Sequence, residues 1–237
     1  MSRRCSSRLI SLAAGIALLA GCNSNKPSPE SQPASDSTQA APAPAPAPQP
    51  EDRRPIIVAF GDSLTAGYGT DAGNSYPDFL ERDLNTKGLN YHVVNAGISG
   101  NTTKDGVARL PEVLALKPVL VIVAFGGNDG LRGLPIDSTR KNLDQIVSTL
   151  QHAGIKVVLG GITLPPNYGP DYIRQFNETY AVLARQYHVP LLPFLLKDVY
   201  GTPGSMQADG IHATAQGNRQ VALNLMPLVT PLLRRQQ

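Results

Sequence analysis

Five short stretches of the chain are apolar at nearly every position. Ile56–Phe60 is the first, with β-branched residues at three of its five positions. Val93–Val94 with their flanks, Val119–Phe125, Lys156–Ile162 and Leu191–Phe194 complete the set. Continuous apolarity, rather than alternation, suits strands covered on both faces of a parallel sheet. Between these runs the period changes. Tyr76, Phe79, Leu80 and Leu84 recur at helical spacing. So do Leu143, Ile146, Val147 and Leu150, in a stretch opened by Ile136. Tyr172, Phe176, Tyr180, Leu183 and Ala184 form a third such face, and Val221, Leu225 and Leu228 a fourth. Strands alternating with helices predict an α/β sandwich around a mostly parallel five-stranded sheet. In such sheets ligands gather at the carboxyl ends of the strands.

The pattern stops at the N-terminal side. From Asn23 to Arg54 there is no Val, Ile, Leu, Met or aromatic residue, and 8 of the 21 prolines fall within Asn23–Pro50. The stretch Ala41–Pro50 alternates Ala and Pro almost throughout. It has no apolar surface to bury, so residues 23–54 read as a solvated, Pro/Ala-rich linker with polyproline II character. Before it, Arg3, Arg4 and Arg8 precede the apolar run Leu9–Ala20. That run has signal-peptide length and is too short to span a bilayer. It ends in Leu19-Ala20-Gly21-Cys22. A Cys directly after a small-residue cleavage site resembles a bacterial lipobox. Residues 1–22 are therefore expected to be a lipoprotein signal peptide and Cys22 the lipidated residue, anchoring the protein to a bilayer. Asn23 after the Cys, by the same resemblance, points to the outer membrane, with the domain facing the periplasm. The folded domain is expected over residues 55–237, enough for one sizeable core.

Charge narrows the field. The +3 net charge equals the contribution of the three arginines before residue 9, leaving 18 basic and 18 acidic residues in the rest. That balance does not suit a nucleic-acid-binding surface. The two cysteines, Cys5 and Cys22, both precede the domain. No disulfide framework, thiolate metal site, HExxH pair or phosphate loop is expected.

The segments after the strands carry the candidate chemistry. Gly61-Asp62-Ser63-Leu64 follows the first, placing Ser63 at the active edge of the sheet near a helix start. Alone, it reads equally as a helix cap. Asn95–Thr102 follows the second and includes Gly97, which permits close backbone approach. Gly126-Gly127-Asn128-Asp129 follows the third; Asn128 could cap a turn or donate a hydrogen bond into a cleft. Near the end lies Asp209-Gly210-Ile211-His212. Of the four histidines, His212 alone has an acid within three residues on its N-terminal side. A carboxylate there can orient the ring for general-base work. Together these segments supply a nucleophile, a base, an orienter and oxyanion donors.

In this order the four blocks resemble the SGNH (GDSL-type) hydrolases. Finer stretches resemble that family's exported bacterial thioesterase, lysophospholipase and arylesterase branch: Gly126–Pro135, Leu164–Tyr168, Val189–Phe194 and Met206–His212. The resemblance covers about Ile56 to Leu233 and implies a flavodoxin-like sheet order. It implies a serine esterase with Ser63, His212 and Asp209 as catalytic residues. The oxyanion hole would be the N–H groups of Ser63 and Gly97 and the Asn128 side chain. Substrates would be carboxylic esters or thioesters with an acyl chain: aryl esters, acyl-CoA or lysophospholipids. No cofactor and no metal are implied. Leu131–Pro135 and Leu164–Tyr168 would line the acyl cleft. Ala213 stands where the family usually has Pro, which leaves the rigidity of that loop open. Two rival readings share the same residues: an O-deacetylase of envelope polysaccharide, and a non-catalytic lipid-binding lipoprotein.

Overall fold

A computed structural model of the chain describes residues 52–233. The expected signal segment with Cys22, the linker as far as residue 51, and residues 234–237 lie outside the described residues.

The five apolar runs are five strands: β1 (Ile56–Gly61), β2 (His92–Gly97), β3 (Leu120–Ala124), β4 (Lys156–Gly160) and β5 (Leu191–Leu192). They form one sheet in the order β2-β1-β3-β4-β5, with every pairing parallel. This is the flavodoxin-like order, and its switch point lies between β1 and β3. Residues 57–61 of β1 and all of β3 are buried, as continuous apolarity requires. β2 is an edge strand and is only partly covered. β5 is shorter than its apolar run, because Pro193 has no N–H to extend the ladder.

Among the described residues, seven α-helices surround the sheet: α1 (Ser63–Ala66), α2 (Tyr76–Thr86), α3 (Thr103–Ala115), α4 (Gly127–Leu131), α5 (Ile136–His152), α6 (Pro170–Tyr187) and α7 (Ala215–Val229). The four long helices expected from periodicity are α2, α5, α6 and α7. α2 packs on α7; α3, α5 and α6 pack in series. The sheet lies between these two groups, which makes the three-layer α/β/α sandwich. Phe60, Phe125, Tyr180, Ile122 and Ile146 are among the largest fully buried side chains of its core.

α3 is absent from the periodicity reading. Gly106 and Pro111 interrupt its apolar pattern, yet its start is well specified. Thr102 and Asp105 form a reciprocal capping box, with Thr102 N–H donating to Asp105 Oδ2 at 2.8 Å.

Candidate active site

β1 ends at Gly61, and the chain turns at once into α1. Asp62 is the cap of this short helix: its Oδ1 accepts the Leu64 N–H at 3.0 Å. Asp62 is 1% exposed, and burial pushes its carboxyl up to about 7. The Leu64 N–H and the nearby His212 oppose that rise, while Asp129 adds to it. With Asp62 in the cap position, Ser63 becomes the first helical residue. Its N–H is one of the orphan donors at a helix start, and its Oγ faces the cleft above the sheet.

His212 reaches this serine from the loop before α7. Its Nε2 lies 2.8 Å from Ser63 Oγ, and its Nδ1 lies 2.6 Å from Asp209 Oδ2. Asp209 Oδ1 accepts the backbone N–H groups of Ile211 and His212, at 2.9 and 3.0 Å. Partial burial alone would raise the Asp209 carboxyl. The hydrogen bonds from the His212 ring and from the two backbone N–H groups outweigh it and hold the carboxyl at about 2.

The loop is also braced from outside. Met206 and Ala213 form an antiparallel bridge, and the Gln207 N–H donates to His212 O at 2.8 Å. The Gln207 side chain donates to Tyr68 O and to Ala213 O. Ala213, in place of the usual Pro, is thus held by backbone pairing. The Tyr68 ring leans on the imidazole with centroids 4.6 Å apart.

The third block arrives after β3. Asn128 is the second residue of α4, and the cap position is Gly126. Its Nδ2 donates to Asn101 O at 2.9 Å. A side-chain amide has two N–H bonds, so one remains for the cleft, which Asn128 lines. Beneath it, buried Asp129 accepts from Thr103 N–H at 2.9 Å and Thr103 Oγ1 at 2.5 Å, tying α4 to α3.

The structure does not bring Gly97 to this cleft. Its N–H donates to Asn95 Oδ1 at 3.0 Å. A Cβ there would sit 2.2 Å from Ala66 N, so glycine serves close packing against the end of α1. The residues of that loop which line the cleft are Ser99 and Gly100. Gly100 has φ +83°, and its N–H donates to no group among the described residues. Its carbonyl accepts from Arg132 at 3.0 Å. Two glycines three residues apart look alike in sequence; the direction of the turn separates them.

Ser63, Gly100, Asn128 and His212 share the wall of a cleft of ≈ 970 Å³. Its size is that of a small-molecule site. From the triad it runs past β3 to the loops after β4 and β5. Of the stretches expected to line it, Leu131, Leu164, Pro165 and Pro166 do so. Residues 132–135, Asn167 and Tyr168 do not; Tyr168 instead donates to Leu131 O at 2.9 Å and ties the two loops together. Ile173 of α6, Phe194, Leu196, Tyr200 and Ile211 complete an apolar wall that periodicity does not reveal. Their common address, after β4 and β5 and beside the triad, is a matter of sheet order.

Among the described residues no group of three or more His, Cys, Asp and Glu could hold a metal ion. No helix among them is long and apolar enough to cross a membrane.

Comparison with known proteins gives one consistent result. Residues 59–220 match the model of the GDSL-like Lipase/Acylhydrolase family. The chain is 43% identical over 178 residues to Esterase TesA of Pseudomonas aeruginosa, covering 75% of this chain and 89% of that protein. It is 40% identical over 178 residues to Thioesterase 1/protease 1/lysophospholipase L1 of Escherichia coli K12, covering 75% and 84%. A crystal structure of TesA superposes with a TM-score of 0.72 at 43% identity, covering 75% of this chain and 99% of that one. Fold, motif order and relatives agree: the chain belongs to the GDSL-like lipase/acylhydrolase family.

Proposed function

We propose that this protein hydrolyses carboxylic esters and thioesters of apolar acyl groups through an acyl-enzyme on Ser63. The observation that carries the reading is the unbroken chain Ser63 Oγ–His212–Asp209, at 2.8 and 2.6 Å, at one end of an apolar cleft.

As Ser63 Oγ attacks the acyl carbonyl, His212 Nε2 takes its proton. Asp209, ionised, holds Nδ1–H and stabilises the imidazolium that forms. The oxygen of the tetrahedral intermediate meets the Ser63 N–H, the Gly100 N–H and the second N–H of Asn128. Gly100 here takes the place that sequence resemblance assigned to Gly97. Donors fixed before the reaction stabilise the charge as it develops. When the carbonyl re-forms, His212 returns the proton to the departing alkoxide or thiolate. A water, deprotonated by the same nitrogen, then attacks the acyl carbon; His212 returns that proton to Ser63 Oγ as the bond to the acyl group breaks, which frees Ser63 and the acid.

The cleft favours acyl chains over sugars. Leu131, Ile162, Leu164, Ile173 and Phe194 offer a chain burial worth ~0.8 kcal/mol per CH₂, and few groups to hydrogen-bond a polysaccharide. The thioesterase and lysophospholipase in the name of the Escherichia coli relative fit the same chemistry. Kinetics on p-nitrophenyl esters and acyl-CoA of increasing chain length test the reading: kcat/KM should climb with chain length. A flat series, or a preference for acetylated xylan, overturns it. Fluorophosphonate labelling that survives Ser63→Ala removes Ser63 as the nucleophile.

The address of the enzyme is part of the proposal. Lipidation of Cys22 would hold residues 55–237 at the bacterial envelope, facing the periplasm at the end of the Ala-Pro linker. Its support is the Leu19–Cys22 sequence.

A further inference from the structure

Arg109 has no place in the chemistry above, yet it holds the loop that carries Gly100. It lies on α3, and helical side chains lean toward their own N-terminus. The loop Ile98–Asn101, which presents Gly100, lies there. Arg109 Nη2 donates to Ala96 O at 2.8 Å, and Nη1 donates to Asn101 Oδ1 at 2.9 Å. One guanidinium thus grips the chain two residues before the loop and at the loop's last residue. Asn101 is also the residue whose carbonyl accepts Asn128 Nδ2 at 2.9 Å. The same guanidinium carbon lies 5.2 Å from the centre of the Phe60 ring, and Phe60 is on β1, three residues before Ser63.

Other interactions do not account for this placement. The Arg109 side chain is 15% exposed, and its Nε is buried with no hydrogen-bond partner. The nearest carboxylate, Glu112, is 3.8 Å from Nε and 76% exposed, a geometry worth little in water. A buried arginine with one idle nitrogen is a costly way to gain stability. The planar fork is instead suited to two acceptors at fixed spacing, which a lysine cannot match.

We infer that Arg109 is a positioning residue: it clamps Ala96 to Asn101 and so fixes both the Gly100 N–H and the Asn128 amide for the transition-state oxyanion. The inference rests on Asn128 and Gly100 being oxyanion donors. It extends that reading to a residue that touches neither substrate nor reacting atoms.

The test is a double-mutant cycle on a soluble p-nitrophenyl ester, using the chain from Asn23 onward. The domain stands on its own, since the TesA chain matched over 99% of its length corresponds to only 75% of this one. Arg109→Lys should lower kcat by about tenfold or more, with KM within about twofold. Introduced into the Asn128→Ala background, Arg109→Lys should cost much less than it does in wild type, because one of the groups that Arg109 aims is gone. Added guanidinium at millimolar levels should restore part of the kcat of Arg109→Ala. Asn101→Ala removes one acceptor of the fork and keeps the carbonyl that holds Asn128. It should reproduce the kcat loss, and it carries the test if neither Arg109 variant folds. Wild-type kcat in Arg109→Lys or in Asn101→Ala, or losses that multiply fully in the cycle, overturn the inference. If Asn128→Ala itself leaves kcat unchanged, it is the oxyanion role of Asn128 that fails.

Discussion

Ser63 Oγ and His212 Nε2 stand 2.8 Å apart although 149 residues separate them in the chain. Each sits at a turn into a helix, Ser63 at the start of α1 and His212 just before α7. The contact is a product of packing: α7 lies against α2, and the Gln207 side chain joins the His212 loop to Tyr68.

This contact makes the first expectation specific. Ser63→Ala and His212→Ala should each lower kcat by about 10³ or more and leave the fold intact. Asp209→Ala should lose less, because the carboxylate orients the ring and does not react. Turnover above roughly a tenth of wild type in either of the first two variants removes that residue from the reaction.

Asn128→Ala should lower kcat by on the order of 10² with KM and melting temperature nearly constant. The variant loses one hydrogen bond to Asn101 O, a small cost at the surface of α4. A melting temperature several degrees lower with kcat retained would make Asn128 a structural residue.

The two glycines of the β2 loop should part company. Gly97→Ala places a methyl 2.2 Å from Ala66 N, so the end of α1 must shift and the melting temperature should fall. At Gly100 the nearest atom to an added methyl is Arg132 Nη2 at 3.8 Å, so space is open and only the left-handed backbone resists. Gly100→Ala should therefore change kcat more than stability, as its N–H is re-aimed. Thermal melts and kinetics on the pair decide; a wild-type melting temperature in Gly97→Ala contradicts the packing argument.

Asp62 predicts a pH-dependent stability. Its carboxyl is raised to about 7 in the fold by burial and returns to about 3.9 on unfolding. Between those values the folded state holds a proton that the unfolded chain has released. Stability from this group is complete below about pH 4 and is lost as pH rises through about 7. Asp62→Asn cannot ionise and keeps an oxygen for the Leu64 N–H. Its melting temperature, relative to wild type, should rise by several degrees between about pH 4.5 and pH 8. A difference that does not change with pH means that Asp62 ionises without hindrance in the fold.

Cys22→Ala should remove incorporation of labelled palmitate into the protein. Undiminished label in the variant would place any acyl anchor elsewhere.

Much of this protein is legible along the chain, because parts of it are local. β1, β3 and β4 were legible because a parallel strand buried on both faces is apolar in succession; β2 and β5, less covered, show only shorter apolar runs. Asp209 and His212 pair across three residues, a distance one turn of backbone can close. Ser63 and Asn128 stand out because polar residues abruptly follow runs that have none.

What the fold alone decided depends on residues distant in sequence. The sheet order, and with it the apolar wall from β4, β5 and α6, follows from which strand packs beside which. A second acid-paired histidine, His92 with Glu81 at 3.1 Å, is hidden because strand β2 and helix α2 supply one partner each. α3 is not legible in the sequence because Gly106 and Pro111 break its apolar spacing, whereas its stability comes from a capping box and from packing on α5. The difference between Gly97 and Gly100 lies in the direction of one turn: a glycine names no direction, and only the packed loop shows that the Gly97 N–H is taken by Asn95 while Gly100 lines the cleft. Arg109 is likewise silent in sequence, since its acceptors are a side-chain amide and a carbonyl, eight and thirteen residues before it, which only the folded loop brings within reach of one guanidinium.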